Sequence, residues 1–402
     1  MKKDLDIIIY GATGFTGQLC VKYLQSLNTK VKWAIAGRNK ESLKKVSKDC
    51  SAEVEIFIAD SHDTQTLDVL TLRSKVILST AGPFHLYGSK LVASCIKNNT
   101  HYVDITGENF WVKSLINKHH KEASSKGIKI IPSCGFDSIP SDLGVFYVSQ
   151  ILKKPIKRIE AFYSLKGRAS GGTIETMFST KKLKTGINLA DTFLLNPDKS
   201  YSNKQKYLSN DFFKISKIND INAWSAPFIM SAINTRVVRR SDALLKLREE
   251  PYGSNFTYQE YTFYKSWFSA LKSLIIIGIL ALVLMSPIKK LVRPFLLKPG
   301  EGPSENFQKH GWFVCKYIAE TEDGEKSLFK MHGKGDPGYK ITSKLVVESA
   351  LCLIEDIDNL PGGSKYGGVL TSASALGDSL IARFDKVGIS FHGPLKNNET
   401  KN

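Results

Sequence analysis

The chain has 402 residues, with 56 Lys and Arg against 38 Asp and Glu, for a formal net charge of +18. That length allows two or three domains, each with a core of its own, and the composition is that of an ordinary globular protein. The charge favours anionic partners or lysine-rich helices facing water, but no basic cluster is interleaved with aromatics, so nucleic acid is not an expected partner.

The N-terminus, "MKKDLDIIIYG", sets Asp4 and Asp6 directly after its lysines and ends its apolar run at strand length, which does not read as a signal peptide. Cys20, Cys50, Cys95, Cys134, Cys315 and Cys352 are far apart with no C-x-x-C pair, which fits a reducing, cytoplasmic setting without a disulfide framework. The eight histidines lack metal-ligand spacing, so no metal site is expected.

Ile7–Tyr10 reads as a buried strand, and Leu19, Cys20, Val21, Leu24 and Leu27 fall on one helical face. Between them stand Gly11, Gly14 and Gly17, following a strand and opening a helix. Gly11 permits a sharp turn, Gly14 a close approach of backbone N–H groups to a pyrophosphate, and Gly17 tight helix–strand packing. Thr13 and Phe15 belong to the same loop. The G-x-x-G-x-x-G spacing resembles the variant found in NADP-dependent reductases. The second strand ends near Ala36, where an NAD enzyme places an acid, but Gly37 and Arg38 stand there, with Lys40 and Lys44 behind. A guanidinium suits a 2′-phosphate, so NADP(H) is expected in preference to NAD.

The alternation continues through "EVEIFIAD", ending at Asp60 as a neighbour for the adenine, and "KVILSTAGPFHLYG", whose Ala81-Gly82-Pro83 turn falls where a cofactor ribose sits. "HYVDITGE" and "IKIIPSCGFDSIPSDLG" complete six strands separated by helical stretches. This predicts an α/β, Rossmann-type doubly wound parallel sheet over residues 1–152, with ligands beyond the carboxyl ends of its strands. After the sixth strand, Asp137 and Ser138 are candidates to position substrate or relay a proton, with helix capping as their other reading. Tyr87 is a further candidate donor, and Cys134 reads as either a reactive or an inert buried thiol.

Residues 153–340 read as a second, α+β domain on a largely antiparallel sheet, with "EDGE" at 322–325 as a hairpin turn. The polar stretch 196–222 reads as an excursion. Arg236, Arg239 and Arg240 either grip an anionic substrate group or line a solvated helix face. Residues 267–297, "WFSALKSLIIIGILALVLMSPIKKLVRPFLL", form an apolar insertion whose core run is too short for a simple span. If the strands on either side share one sheet, both ends leave on the same side of a bilayer and a single crossing is excluded. A dip into one leaflet is then expected, with Trp267 and Phe268 at one edge and Lys289, Lys290, Arg293 and Lys298 on headgroups. A buried helix, a tunnel wall or the seam of a homodimer are the alternatives. Residues 341–395 predict helices that pack back on the first domain.

The motifs "YGATGFTG", "AGR", "TAGPF", "YVDITGE", "CGFDSIPSDLG", "SGGT", "NTRVVRRS", "KPGEGPS", "GDPGY" and "GGVLTSASALGDSL" occur in the order seen in saccharopine dehydrogenase-like oxidoreductases, a family that includes trans-acting enoyl reductases. The resemblance covers nearly the whole chain. It implies a Rossmann domain, a second α+β domain, a nicotinamide cofactor and, for the enoyl reductase branch, hydride transfer to a double bond in a lipid-like substrate. Animal members are associated with membranes and lipid droplets, which makes peripheral attachment an expectation here. Two other functions fit the residues: a non-catalytic nucleotide-binding protein that docks on lipid, and a saccharopine-type amino-acid dehydrogenase.

Overall fold

In the computed structural model, which describes residues 3–167, 186–197, 201–286 and 300–395, the chain builds two seven-stranded sheets. The first comes from regular alternation: β1 (Leu5–Tyr10), α1 (Phe15–Ser26), β2 (Trp33–Gly37), α2 (Lys40–Asp49), β3 (Glu55–Ile58), α3 (Thr64–Arg73), β4 (Ser74–Ser79), the short α4 (Phe84–Tyr87), α5 (Ser89–Lys97), β5 (His101–Asp104), α6 (Asn109–Ser125), β6 (Lys129–Ile131) and α7 (Ile139–Leu152). β1 is central because Ile7, Ile8 and Ile9 are all fully buried, so neither of its faces tolerates water. α2 and α3 start where Asn39 and Asp63 accept hydrogen bonds from Ser42 N and Gln65 N.

The second half contributes β7 (Ile156–Lys166), α8 (Asn203–Leu208), β8 (Ser216–Ile218), β9 (Ala223–Pro227), α9 (Ser231–Lys246), β10 (Thr257–Tyr264), α10 (Trp267–Met285), α11 (Glu305–His310), β11 (Trp312–Thr321) and β12 (Lys326–Lys334). There follow α12 (Thr342–Glu355), β13 (Gly368–Val369), α13 (Ser372–Ala375), α14 (Gly377–Ile381), α15 (Phe384–Val387) and β14 (Ile389–His392).

Sheet one runs β13-β6-β5-β4-β1-β2-β3, every pairing parallel, and its order reverses between β1 and β4, where a doubly wound sheet opens its ligand crevice. Sheet two runs β14-β12-β11-β7-β10-β9-β8. It is antiparallel except for β7 and β10, which run parallel. The 322–325 turn joins β11 to β12 as a hairpin. The stretch after 200 is an excursion only in part, since it carries α8 and the edge strand β8.

α7 lies between the sheets. Its residues from Ile139 to Phe146 are all buried, and Tyr317 of β11 donates to the Pro140 carbonyl at 2.7 Å. The chain beyond Ile341 serves both halves. α12 packs on α1, with Tyr23 Oη donating to Glu348 Oε1 at 2.6 Å. β13 extends sheet one, while β14 extends sheet two. Residues 372–387 form three short helices, the second of which starts at Gly377 with φ +45°.

β10 and β11 flank β7 in opposite directions. Thr262 stands opposite Tyr163 and Trp312 opposite Lys166, so β10 ends and β11 begins at the same edge of the sheet. Both ends of the insertion therefore leave on one side.

Candidate functional site

The glycine loop is built as a dinucleotide cradle. Gly11 has φ +87°, a conformation costly for side chains, and a Cβ there would lie 2.8 Å from Ala81 N. A Cβ on Gly17 would overlap the Gly11 carbonyl oxygen. α1 begins at Gly14 without a side-chain cap and without an acid in its first turn. Its free N–H groups and positive dipole end are thus left for an anion. These features fit a pyrophosphate held over Gly11–Gly17, with Ala81 and Gly82 as the opposite wall. Thr13 contributes its carbonyl to Gln18 Nε2 at 3.0 Å. The Phe15 ring is engaged by the second half, edge-on to Tyr339 at 5.3 Å and beneath Gly302, where a Cβ would strike it. Only its backbone remains for a cofactor.

At the carboxyl end of β2, exposed Arg38 holds its guanidinium 5.9 Å from the Tyr87 ring. His62 meets the same ring edge-on at 5.8 Å, and Asp60 Oδ1 accepts from His62 N at 2.8 Å. Arg38, Asp60, His62 and Tyr87 therefore form one cluster beyond the carboxyl ends of β2 and β3. α4 thus turns Tyr87, the further candidate donor, toward Arg38 and His62.

At the other end, β6 leads into Ser133–Ser138. Asp137 keeps an exposed side chain, and lost hydration nonetheless pushes its carboxyl up to about 6. It makes no hydrogen bond among the described residues. The Ser138 side chain does not cap α7. It is buried and donates to Asn234 Oδ1 at 3.1 Å. Asn234 in turn donates to Glu260 Oε1 at 2.8 Å, while Ser141 and Tyr258 donate to Glu260 Oε2 at 2.8 Å each. Burial raises the Glu260 carboxyl to about 7 in spite of those donors. Asp142 accepts from Ser241, from Ser372 at 2.7 Å and from Ala373 N at 2.7 Å. Cys134 is buried, and desolvation drives its thiol well up, so it is inert.

The arginines of α9 match neither reading given to them. Arg236 pairs with both oxygens of Asp211 at 2.6 and 2.7 Å, Arg239 grips the Thr192 and Tyr258 carbonyls, and Arg240 those of Leu195 and Val369. All three are buried and clasp loops and strand ends of their own chain. Among the described residues no group of His, Cys, Asp and Glu could hold a metal ion. The "SGGT" motif and the basic residues 289–298 lie outside the described residues.

A parallel doubly wound sheet, an uncapped glycine-rich helix start and an arginine in place of the ribose-binding acid define an NADP-dependent oxidoreductase. Residues 7–131 match the saccharopine dehydrogenase NADP binding domain. A Mycobacterium tuberculosis protein provisionally named a trans-acting enoyl reductase is 33% identical over 96% of this chain and 97% of its own. The trans-acting enoyl reductase of Mycobacterium ulcerans is 31% identical over the same shares. The chain belongs to the saccharopine dehydrogenase-like oxidoreductase family that includes these enzymes. The fold is shared with the L-Glu-forming saccharopine dehydrogenase of Saccharomyces cerevisiae, at a TM-score of 0.54 and 12% identity, covering 97% of this chain and all of that one.

Arg38→Ala is expected to weaken NADPH binding by about 10- to 100-fold, the worth of one charge-assisted contact, and to leave NADH within about twofold. Fluorescence titration with both cofactors measures this; equal losses for the two would show that Arg38 does not read the 2′-phosphate.

Proposed function

We propose that the protein is an NADPH-dependent enoyl reductase for a long-chain, lipid-like substrate that it meets at a membrane surface. The names of its full-length relatives support the reaction, and α10 supports the location. In that helix Phe268 is 77% exposed, Ile275 52%, Ile276 55%, Ile279 55% and Leu282 69%. A soluble surface rarely leaves a contiguous apolar patch of this kind uncovered. The helix is anchored at its start, where Ser266 caps it and Tyr264 Oη donates to Ser273 Oγ at 2.7 Å. Beyond that turn Ile275, Ile276, Ile279 and Leu282 are exposed, while Leu274 and Ile277 are half-buried.

Among the described residues no helix is long and apolar enough to cross a membrane. The two ends of the insertion also leave the sheet at one edge, which suits an element that enters a leaflet and returns. Trp267 and Phe268 are suited to the interface, and exposed Lys265 and Lys272 to anionic headgroups. In this reading Asp137 is the polar group of the substrate cleft, and Ser138 supports it from behind through Asn234 and Glu260.

The test is vesicle co-sedimentation at low salt with phosphatidylglycerol-containing liposomes, followed by NADPH oxidation with a trans-2-hexadecenoyl thioester. Sedimentation with the vesicles and turnover are both expected. Replacing Ile275, Ile276, Ile279 and Leu282 with serine should reduce vesicle binding at least about tenfold, because each buried aliphatic side chain is worth about 1.5–3 kcal/mol, and should leave NADPH affinity unchanged. A wild-type chain that stays in the supernatant would remove the membrane from the proposal. NADPH binding without oxidation of any enoyl thioester would remove the reaction.

A further inference from the structure

Two motifs that are separate in sequence meet at the carboxyl edge of sheet one. Glu108 closes the loop after β5, and His85 follows the Ala81-Gly82-Pro83 turn after β4. The Glu108 carboxylate is buried and accepts from Phe84 N at 2.8 Å, from His85 N at 2.9 Å and from the His85 ring at Nδ1, 2.6 Å away. The imidazole side chain is 6% exposed and lies against the Phe110 ring at 5.4 Å. With Nδ1 committed to Glu108, Nε2 has no protein partner among the described residues.

The place matters as much as the pair. Along the edge the order is Arg38 after β2, the glycine loop after β1, His85 after β4, Glu108 after β5 and Asp137 after β6. A dinucleotide with its adenosine at Arg38 and its pyrophosphate on α1 extends its far end over β4 and β5. A carboxylate that fixes one ring nitrogen and leaves the other free is the arrangement that orients a histidine for proton transfer.

We infer that His85 is the proton donor of the reduction, with Glu108 as its positioning residue. This rests on the enoyl reductase reading. A hydride from reduced nicotinamide bonds to the β-carbon of the enoyl group, and the electron pair of the double bond moves to the α-carbon. The His85 Nε2–H bond breaks and its proton joins that carbon. The products are a saturated acyl chain, oxidised cofactor and a neutral imidazole, which regains a proton from solvent.

The experiment has two arms. In the first, 15N-histidine-labelled protein is titrated with NADPH, and the ring signal absent from His85→Gln should move; an unmoved signal overturns the placement whether or not any substrate is reduced. In the second, single-turnover oxidation of NADPH by a trans-2-hexadecenoyl thioester is followed against pH. His85→Gln should lose about 10²- to 10⁴-fold in rate, the usual worth of a general acid, with NADPH affinity unchanged. The pH–rate profile should change in shape, and not only in height, both in His85→Gln and in Glu108→Gln, which releases the ring from the carboxylate that orients it. A merely structural dyad would reduce the rate at all pH values alike. A profile that keeps its shape in His85→Gln and changes it in Asp137→Asn would transfer the role to Asp137 and overturn the inference. If the wild type binds NADPH but reduces no enoyl thioester, the reductase reading fails and the first arm alone decides the placement of His85.

Discussion

Gly17→Ala is expected to weaken NADPH binding at least about 100-fold, or roughly 2.7 kcal/mol. The added Cβ would overlap the Gly11 carbonyl oxygen, and would stand 2.8 Å from Ala12 Cα and 2.9 Å from Thr80 Oγ1. Two of these neighbours are backbone, so relief requires α1 to move away from β1. That displaces the helix start that faces the pyrophosphate and distorts a packed strand, at a cost of about 1–3 kcal/mol in stability. Gly14→Ala separates the two effects: its nearest protein neighbour is Gly11 O at 3.3 Å, so its stability should fall by less than about 1 kcal/mol, and any loss of NADPH affinity then reports the approach to the pyrophosphate. Fluorescence titration with thermal melting measures both. Wild-type affinity in Gly17→Ala would show that the cofactor does not use the start of α1.

Asp142→Ala has the largest expected effect on stability, about 3–5 kcal/mol, because it leaves several buried donors unpaired together. Ser241 of α9, Ser372 and the Ala373 N–H all converge on this carboxyl, so α7, α9 and α13 lose their common tie. Part of the loss is offset because the carboxyl itself is held up to about 6 by desolvation. Asp142→Asn keeps one acceptor and the shape of the side chain, and should cost about half as much. Denaturant unfolding ranks the three proteins; a ranking with asparagine below alanine would mean that the site favours no acceptor.

The first sheet was legible because its signals are local. Apolar β-branched runs, glycines at the strand–helix turn and helical periodicity all lie within about 30 residues of one another. The hairpin at 322–325 was legible for the same reason. What escaped reading depends on partners far along the chain. His85 and Glu108 are 23 residues apart and look like unrelated loop polars until β4 and β5 pair. The α9 arginines look solvent-facing because the carbonyls that satisfy them come from Thr192, Leu195 and Val369. Ser138 and Asp137 are neighbours in sequence, yet one is buried against Asn234 and the other is exposed. β13, at two residues, has no periodicity to detect. Arg38 was legible as a 2′-phosphate candidate from the missing acid alone, whereas the turn of Tyr87 toward it was not, since the direction of α4 is set by packing.

The threading of the last stretch through both sheets bears on how the protein is made. α12 covers α1 and the face of β4 and β5, and β13 supplies the final strand of sheet one, yet both are translated more than 200 residues after that sheet begins. A nascent chain emerging from the ribosome thus presents a nucleotide fold with an open apolar flank for much of its synthesis. These contacts of long sequence separation make closure slow, and until they form the exposed flank is a place where chaperones would have to hold the chain.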